Sequence, residues 1–299
     1  MNTAAKEAQR AKRPDARTLA AFALIIVLGG GAAVAARFTS LELPPFWGAL
    51  LRFGPAVLIF WGLLWRRGLA LPRGRALWGA ILFGVLSVGF FYAFFYFGLV
   101  EVQAGFATLL LALGPLFTAL FAALHGQEAL RWRGVVGSLI ALVGIYLTVA
   151  GDFRAQAPLI NLLAMLAAAM VAAEALVIYK GFPKNDPLVT NTISVSVGVV
   201  MLFIFSLISG ESMALPQRTE TWAALIYVVP IGTVLLFLLY LYVLDRWTAS
   251  ATSYAFLLFP VSATLFSAWL TDERITPLFV VGGALVLLGV WVGALAEGD

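Results

Sequence analysis

The chain has 299 residues, of which 62% are hydrophobic and 11% charged, with a mean hydropathy of +0.99. A soluble domain carries roughly 25% charged residues, so this composition describes a membrane protein. It has no cysteine, which excludes disulfides, thiolate metal sites and thiol catalysis. The net charge of +4 sits in short connectors, where membrane topology explains it better than nucleic acid does.

An apolar run of about 20 residues spans a bilayer as a helix, and only helices satisfy their own backbone there without closing a barrel. Ten such runs follow in order: Thr18–Ala36, Leu43–Trp65, Ala76–Phe97, Ala104–Leu124, Trp132–Ala150, Leu159–Tyr179, Leu188–Ser209, Trp222–Leu244, Ala249–Leu270 and Thr276–Leu295. The first follows basic residues, and Ala33-Val34-Ala35 imitates a signal-peptidase site. The run is longer than a signal's apolar core of about 7–15 residues, so a retained helix is expected. Its Gly29-Gly30-Gly31 stretch suits close helix packing.

Arg52 lies well inside the second run. A charge in the bilayer costs roughly 2.5–3.5 kcal/mol even on the lenient scale, so it needs a partner or a wet cavity. Arg52 therefore meets a substrate carboxylate or holds backbone carbonyls of the bundle. The third run is dense in rings from Phe90 to Phe97, and the eighth carries Tyr227, Phe237, Tyr240 and Tyr242. Such rings either form an interfacial belt or line a cavity that stacks flat molecules and holds cations, at roughly 0.5–2 kcal/mol each. Tyr92, Phe95, Tyr240 and Tyr254 are the candidates, with Thr108 and Ser253 as polar companions. In the sixth run Glu174 receives an ammonium or a proton, or snorkels to the surface. His125 ends the fourth run, and one imidazole makes no metal site. No cofactor is expected: there is no phosphate-binding loop and no catalytic cluster that would make an enzyme.

The stretch Gln103–Tyr146, moved forward by 145 positions, falls on Thr248–Trp291 without a gap. Pro115 lands on Pro260, Glu128 on Glu273, Gly137 on Gly282 and Gly144 on Gly289. The spacing marks a duplicated unit: a basic tail over 1–17, one five-helix repeat over 18–150 and a second over 151–299. In alternate connectors, fourteen Lys and Arg (Lys6, Arg10, Lys12, Arg13, Arg17, Arg66, Arg67, Arg73, Arg75, Arg131, Arg133, Lys180, Lys184, Arg246) stand against four (Arg37, Arg154, Arg218, Arg274). That bias puts both termini in the cytoplasm. Five helices are an odd number, so the repeats enter the membrane from opposite sides. Inverted repeats around a midplane site are the build of secondary transporters. Thr108 pairs with Ser253, Phe95 with Tyr240 and Tyr92 with Phe237 under the same offset. Pro115 and Pro260 each remove a helix hydrogen bond and serve as a kink or as a gating hinge.

The paired segments Leu111–Leu120 and Leu257–Leu265, the glutamates after them and the glycines of the fifth and tenth helices resemble the drug/metabolite transporter superfamily, in its EamA-type ten-helix branch. Within it the chain is similar to the YddG-type exporters of aromatic amino acids and toxic cations. The resemblance implies a basket of helices one to four and six to nine around a cavity, with the fifth and tenth outside. The expectation is an all-α, multi-pass inner-membrane carrier, working as a monomer, that exports aromatic amino acids or flat cations by alternating access. Its partners are a small-molecule substrate and the lipid bilayer. A carrier of another small solute and a lipid scramblase or flippase stay open as alternatives.

Overall fold

The computed structural model describes residues 14–102, 104–149, 157–271 and 277–295. Ten helical spans run through them, with no strand among the described residues. They are α1 Ala16–Ser40, α2 Pro45–Arg67, α3 Arg75–Leu99, α4 (Ala104–Leu111 and Gly114–Leu124), α5 Trp132–Val149, α6 Leu159–Gly181, α7 Pro187–Ile208, α8 Thr219–Arg246, α9 (Ala249–Ser253 and Ala255–Thr271) and α10 Pro277–Leu295. Eight are long and apolar enough to cross a membrane; α4 and α5 are shorter and equally apolar. Local signals set the ends. Asp15 caps α1 by accepting from the Thr18 amide at 2.9 Å, and Asp186 caps α7 through the Leu188 amide at 2.8 Å, the usual role of Asp at an N-cap. Gly68, at φ 62°, closes α2 in the left-handed conformation that only glycine adopts freely.

The helices pack in a pattern that survives exchange of the halves. Helix α1 lies against α8 and α9, as α6 lies against α3 and α4; α2 packs on α7, and α5 on α10. The α5–α10 seam gives the hand of this exchange. A Cβ on Gly137 would meet the Gly289 carbonyl at 2.5 Å, and one on Gly282 would meet the Gly144 carbonyl at 2.5 Å. As the residue number rises along α5 it falls along α10, so the two are antiparallel. The contacts join each glycine to the symmetry mate of the other. The repeats are therefore inverted, and small residues let the backbones touch. The triple glycine of α1 is likewise a close approach: Gly29 faces the Phe259 ring and Gly30 faces Ser262, whose hydroxyl donates to the Ile26 carbonyl at 2.7 Å.

Two features depart from the expected continuous helices. The fourth run breaks before Gly114, where Leu113 N bonds back three residues to Leu110 O. Pro115 then starts a new helix rather than bending an old one, because the first turn of a helix needs no donor from it. Its mate Pro260 lies inside a continuous helix, and α9 breaks earlier, at Tyr254. The second departure is a π-helical turn in α3, Val85–Phe90, and another in α8, Pro230–Leu235. They lie 145 positions apart, so the widened turn belongs to the repeat.

Candidate functional site

A cavity of about 10 Å³ lies among α3, α4, α6 and α9, lined by Phe91, Leu111, Gly114, Thr118, Ala169, Ala172, Ala173 and Phe256. That is room for about one water. Leu111 and Phe256 are symmetry mates, which places the cavity near the axis relating the halves. Leu111, Gly114 and Thr118 come from the interrupted part of α4. The interruption lets the chain come close, and the Thr118 hydroxyl donates to the Gly114 carbonyl at 2.9 Å instead of facing the cavity unpaired. Helix α6 supplies a face of alanines that leaves the space open.

The rings converge from three helices. Phe91 stacks on Phe95 with centroids 5.7 Å apart and planes 15° apart, and reaches Phe256 at 6.5 Å. Phe256 meets Tyr240 at 5.9 Å and the edge of Phe259 at 5.6 Å. The Tyr240 hydroxyl is buried and has no hydrogen-bond partner among the described residues. A buried polar group left so costs about 1–3 kcal/mol.

Arg52 is 6% exposed. Its Nε donates to the Thr233 hydroxyl at 2.9 Å and a terminal nitrogen donates to the Gly232 carbonyl at 3.0 Å. Both acceptors lie in the π-helical turn of α8. The guanidinium also stands over Phe53 at 5.0 Å and over Tyr92 at 5.4 Å. No carboxylate pairs with it among the described residues. Tyr92 packs edge-on against Phe53 at 4.6 Å and Phe91 at 4.8 Å, and Phe53 reaches Phe237 at 6.0 Å. Phe53 thus touches both members of the symmetric pair Tyr92 and Phe237. Arg52 sits one ring beyond the cavity lining.

The structure brings Tyr92, Phe95, Tyr240 and Arg52 into one neighbourhood with the cavity. It does not bring Tyr254 there. The Tyr254 ring points to α5, where its hydroxyl pairs with Ser138 Oγ at 2.9 Å and donates to the Gly134 carbonyl at 2.8 Å. This anchors the break in α9 to a peripheral helix. Ser253 is fully buried, and its hydroxyl donates to the Ser250 carbonyl at 2.6 Å within its own helix. The Thr108 side chain lies outside the described residues, as do Glu273 and the first thirteen residues of the tail. Glu174 faces His125, Oε1 to Nε2, at 3.1 Å. Glu128 serves the N-terminus of α9, accepting from the Ala249 and Ser250 amides at 2.8 and 3.3 Å. No cluster of metal-binding side chains occurs among the described residues.

Sequence reasoning missed the cavity positions of Phe256, Leu111 and the α6 alanines. One signal was present: Phe256 falls on Leu111 under the 145-residue offset, four residues before each proline. Nothing in the sequence marked the α3 and α8 turns or the meeting of His125 with Glu174.

The model of the EamA-like transporter family matches residues 17–150 and again residues 158–294. A probable terminal-alkyne amino-acid exporter of Streptantibioticus cattleyicolor is 30% identical over 75% of this chain and 75% of its own length. The uncharacterized inner-membrane transporter YedA of Escherichia coli K12 is 28% identical, over 93% and 90%. An uncharacterized transporter of Archaeoglobus fulgidus is 23% identical, over 93% and 97%. A solved crystal structure shares the fold with a TM-score of 0.76 at 20% identity, covering 93% of this chain and 97% of that one.

Proposed function

Since the chain belongs to the EamA-like transporter family, we propose that it is a secondary carrier that exports aromatic amino acids, and flat aromatic cations with them, by alternating access. Its two working units are residues 18–150 and 151–299, behind a basic tail over 1–17. The face bearing Arg66, Arg67, Arg131, Arg133, Lys180, Lys184 and Arg246 is cytoplasmic, as the excess of basic connectors requires.

The observation that carries the reading is the ring cluster of Phe91, Phe95, Tyr240 and Phe256 on a cavity beside the pseudo-two-fold axis. Rings offered from helices of both repeats stack a flat side chain wherever the mouth opens. Two polar groups suit the rest of an amino acid. The orphaned Tyr240 hydroxyl takes one of its polar atoms. Arg52, without a carboxylate among the described residues, supplies the positive potential for the substrate carboxylate, and a bidentate pair is the strongest form of that contact. The relative named as a probable terminal-alkyne amino-acid exporter supports amino acids as the cargo, while the aromatic preference rests on the rings alone.

Counterflow in proteoliposomes tests the reading, with radiolabelled amino acids run with and without a pH gradient. Tryptophan, tyrosine and phenylalanine are expected to exchange faster than alanine or lysine. Equal exchange of all five, or exchange of none, overturns the aromatic substrate.

A further inference from the structure

We propose that His125 and Glu174 form a proton-binding site at the basic-face mouth of the cavity, and that the proton they share keeps this mouth shut. The consequence for transport rests on the carrier reading above; the site itself does not.

The pair lies on the seam that lines the cavity. Thr118 borders the cavity, and His125 follows it by seven residues. Seven residues are two turns, so both lie on one face of α4, about 10 Å apart along the axis. On α6, Glu174 directly follows the cavity residues Ala172 and Ala173. Between Thr118 and His125, and between Ala169 and Glu174, there is no other titratable residue. The pair is therefore the first ionisable group met along this seam from the cavity. Its side chains are 41% and 28% exposed, so the pair is not sealed inside the bundle.

The other acids at this end already have partners. Glu128 takes the α9 amides. Asp245 of α8 accepts from the Tyr179 hydroxyl at 3.0 Å and faces Lys184 at 3.6 Å. Lys180 of α6 lies six residues beyond Glu174 on the same helix. Of the elements packed on α6, the first segment of α9 has no titratable residue, while α3 brings Arg75, Tyr92 and Tyr96. Arg131 and Arg133 lie just past the turn after His125. Glu174 is thus the one acid paired with His125.

Imidazole is the side chain that changes charge between pH 5 and 8. Protonated, it gives Glu174 a charge-assisted bond, roughly twice as strong as a neutral one. Once the proton leaves for water at the basic face, a single weaker bond joins the two side chains. The α4–α6 seam at this level then leans on the bond from Gln127 Nε2 to the Val177 carbonyl, at 2.9 Å. Loss of the proton therefore loosens the mouth through which substrate enters from that face.

The chain has no cysteine, so introduced thiols are the only label sites. Leu124→Cys, next to His125, and Pro183→Cys, just past the end of α6, both exposed, carry nitroxides in the full chain reconstituted in lipid without substrate. Electron–electron distance measurements are expected to shift toward longer separations as pH rises from about 5.5 to about 8.5, across the imidazole range. His125→Gln, which keeps a donor but does not titrate, is expected to abolish the shift, and Glu174→Gln likewise. An unchanged distance in the parent, or the same shift in His125→Gln, overturns the proposal. Glu174→Gln decides the matter if His125→Gln fails to fold. No solute takes part, so failure of amino-acid exchange leaves this result standing, and the two readings fail separately.

Discussion

The π-helical turns of α3 and α8 occupy equivalent places in the two repeats and are held in opposite ways. A π turn spaces its hydrogen bonds one residue wider, as Val234 N to Val229 O at 3.1 Å does, and frees a carbonyl for another donor. In α3 the position equivalent to Gly232 is Ser87, whose hydroxyl donates to Phe83 O within the helix at 2.6 Å. The turn packs on α7, with Gly84 just before it against the Ser194 backbone and Val88 against Gly198 of α7. In α8 no side chain of the turn reaches back from position 232. Arg52 of α2 crosses over and takes the Gly232 carbonyl together with the Thr233 hydroxyl. The duplication thus kept the backbone device in both halves and put the charge in one. A carrier with a symmetric scaffold binds an asymmetric molecule only if its polar groups are distributed this way.

Arg52→Met tests this contrast with the largest expected effect. It leaves the Gly232 carbonyl buried without its donor, which costs about 1–3 kcal/mol of stability, and amino-acid exchange should fall by more than the loss of folded protein explains. Ser87→Ala, its counterpart in α3, should cost only about 0.5–1.5 kcal/mol and leave exchange intact. Equal transport defects in the two variants would erase the distinction between the turns. Thermal unfolding in detergent and counterflow measure both quantities.

The α5–α10 seam should behave the other way, because its contacts are equivalent by symmetry. Gly137→Ala and Gly282→Ala each push a methyl onto a backbone carbonyl, and each should destabilise by about 1–3 kcal/mol, to the same extent and without altering substrate preference. Unequal losses of melting temperature would show that the halves differ here too. At the cavity the mates Leu111 and Phe256 differ in chemistry. Phe256→Leu removes a ring contact of about 0.5–1.5 kcal/mol, so exchange of aromatic amino acids should drop about two- to tenfold. Exchange of aliphatic ones should change little.

The smallest effect lies at the opposite face. Glu42 accepts from the Gln217 and Arg218 amides at the start of α8, and the Thr221 hydroxyl with those amides holds its carboxyl below the ordinary 4.5. A carboxylate favoured in the folded state stabilises fully above its unfolded value, and that contribution is lost as pH falls through the folded one. Melting temperature should therefore decline below about pH 4.5. Glu42→Gln should start lower at neutral pH and decline less. An unchanged acid slope in Glu42→Gln would rule out this clamp.

Much of this was legible in the residues. Ten apolar runs, the 145-residue offset and an odd number of helices per repeat are one-dimensional facts, and the bilayer turns them into helices and an inversion without further information. The glycines at 137, 144, 282 and 289 marked the duplication by their spacing, and only the structure placed them against one another in the α5–α10 seam. Arg52 announced a partner, because a bilayer tolerates few bare charges. Backbone carbonyls were one of its two expected partners, but which carbonyl was not legible: it is that of Gly232 in the π turn of α8, and a carbonyl has no letter in the sequence. Tyr254 misled for a related reason. It lies on a cavity helix, but the break at its own position rotates the ring toward α5, and rotation about a helix axis is set by packing on both sides. The same holds for Pro115, where the break before it turned an expected kink into a helix start.

The sequence by itself determined the architecture, since hydropathy, length and repeat act locally or by simple count. Only the tertiary structure decided which rings share a cavity, which carbonyl Arg52 holds and that His125 meets Glu174. Those outcomes depend on the azimuth of each helix and on contacts between residues far apart in the chain, which no local pattern encodes.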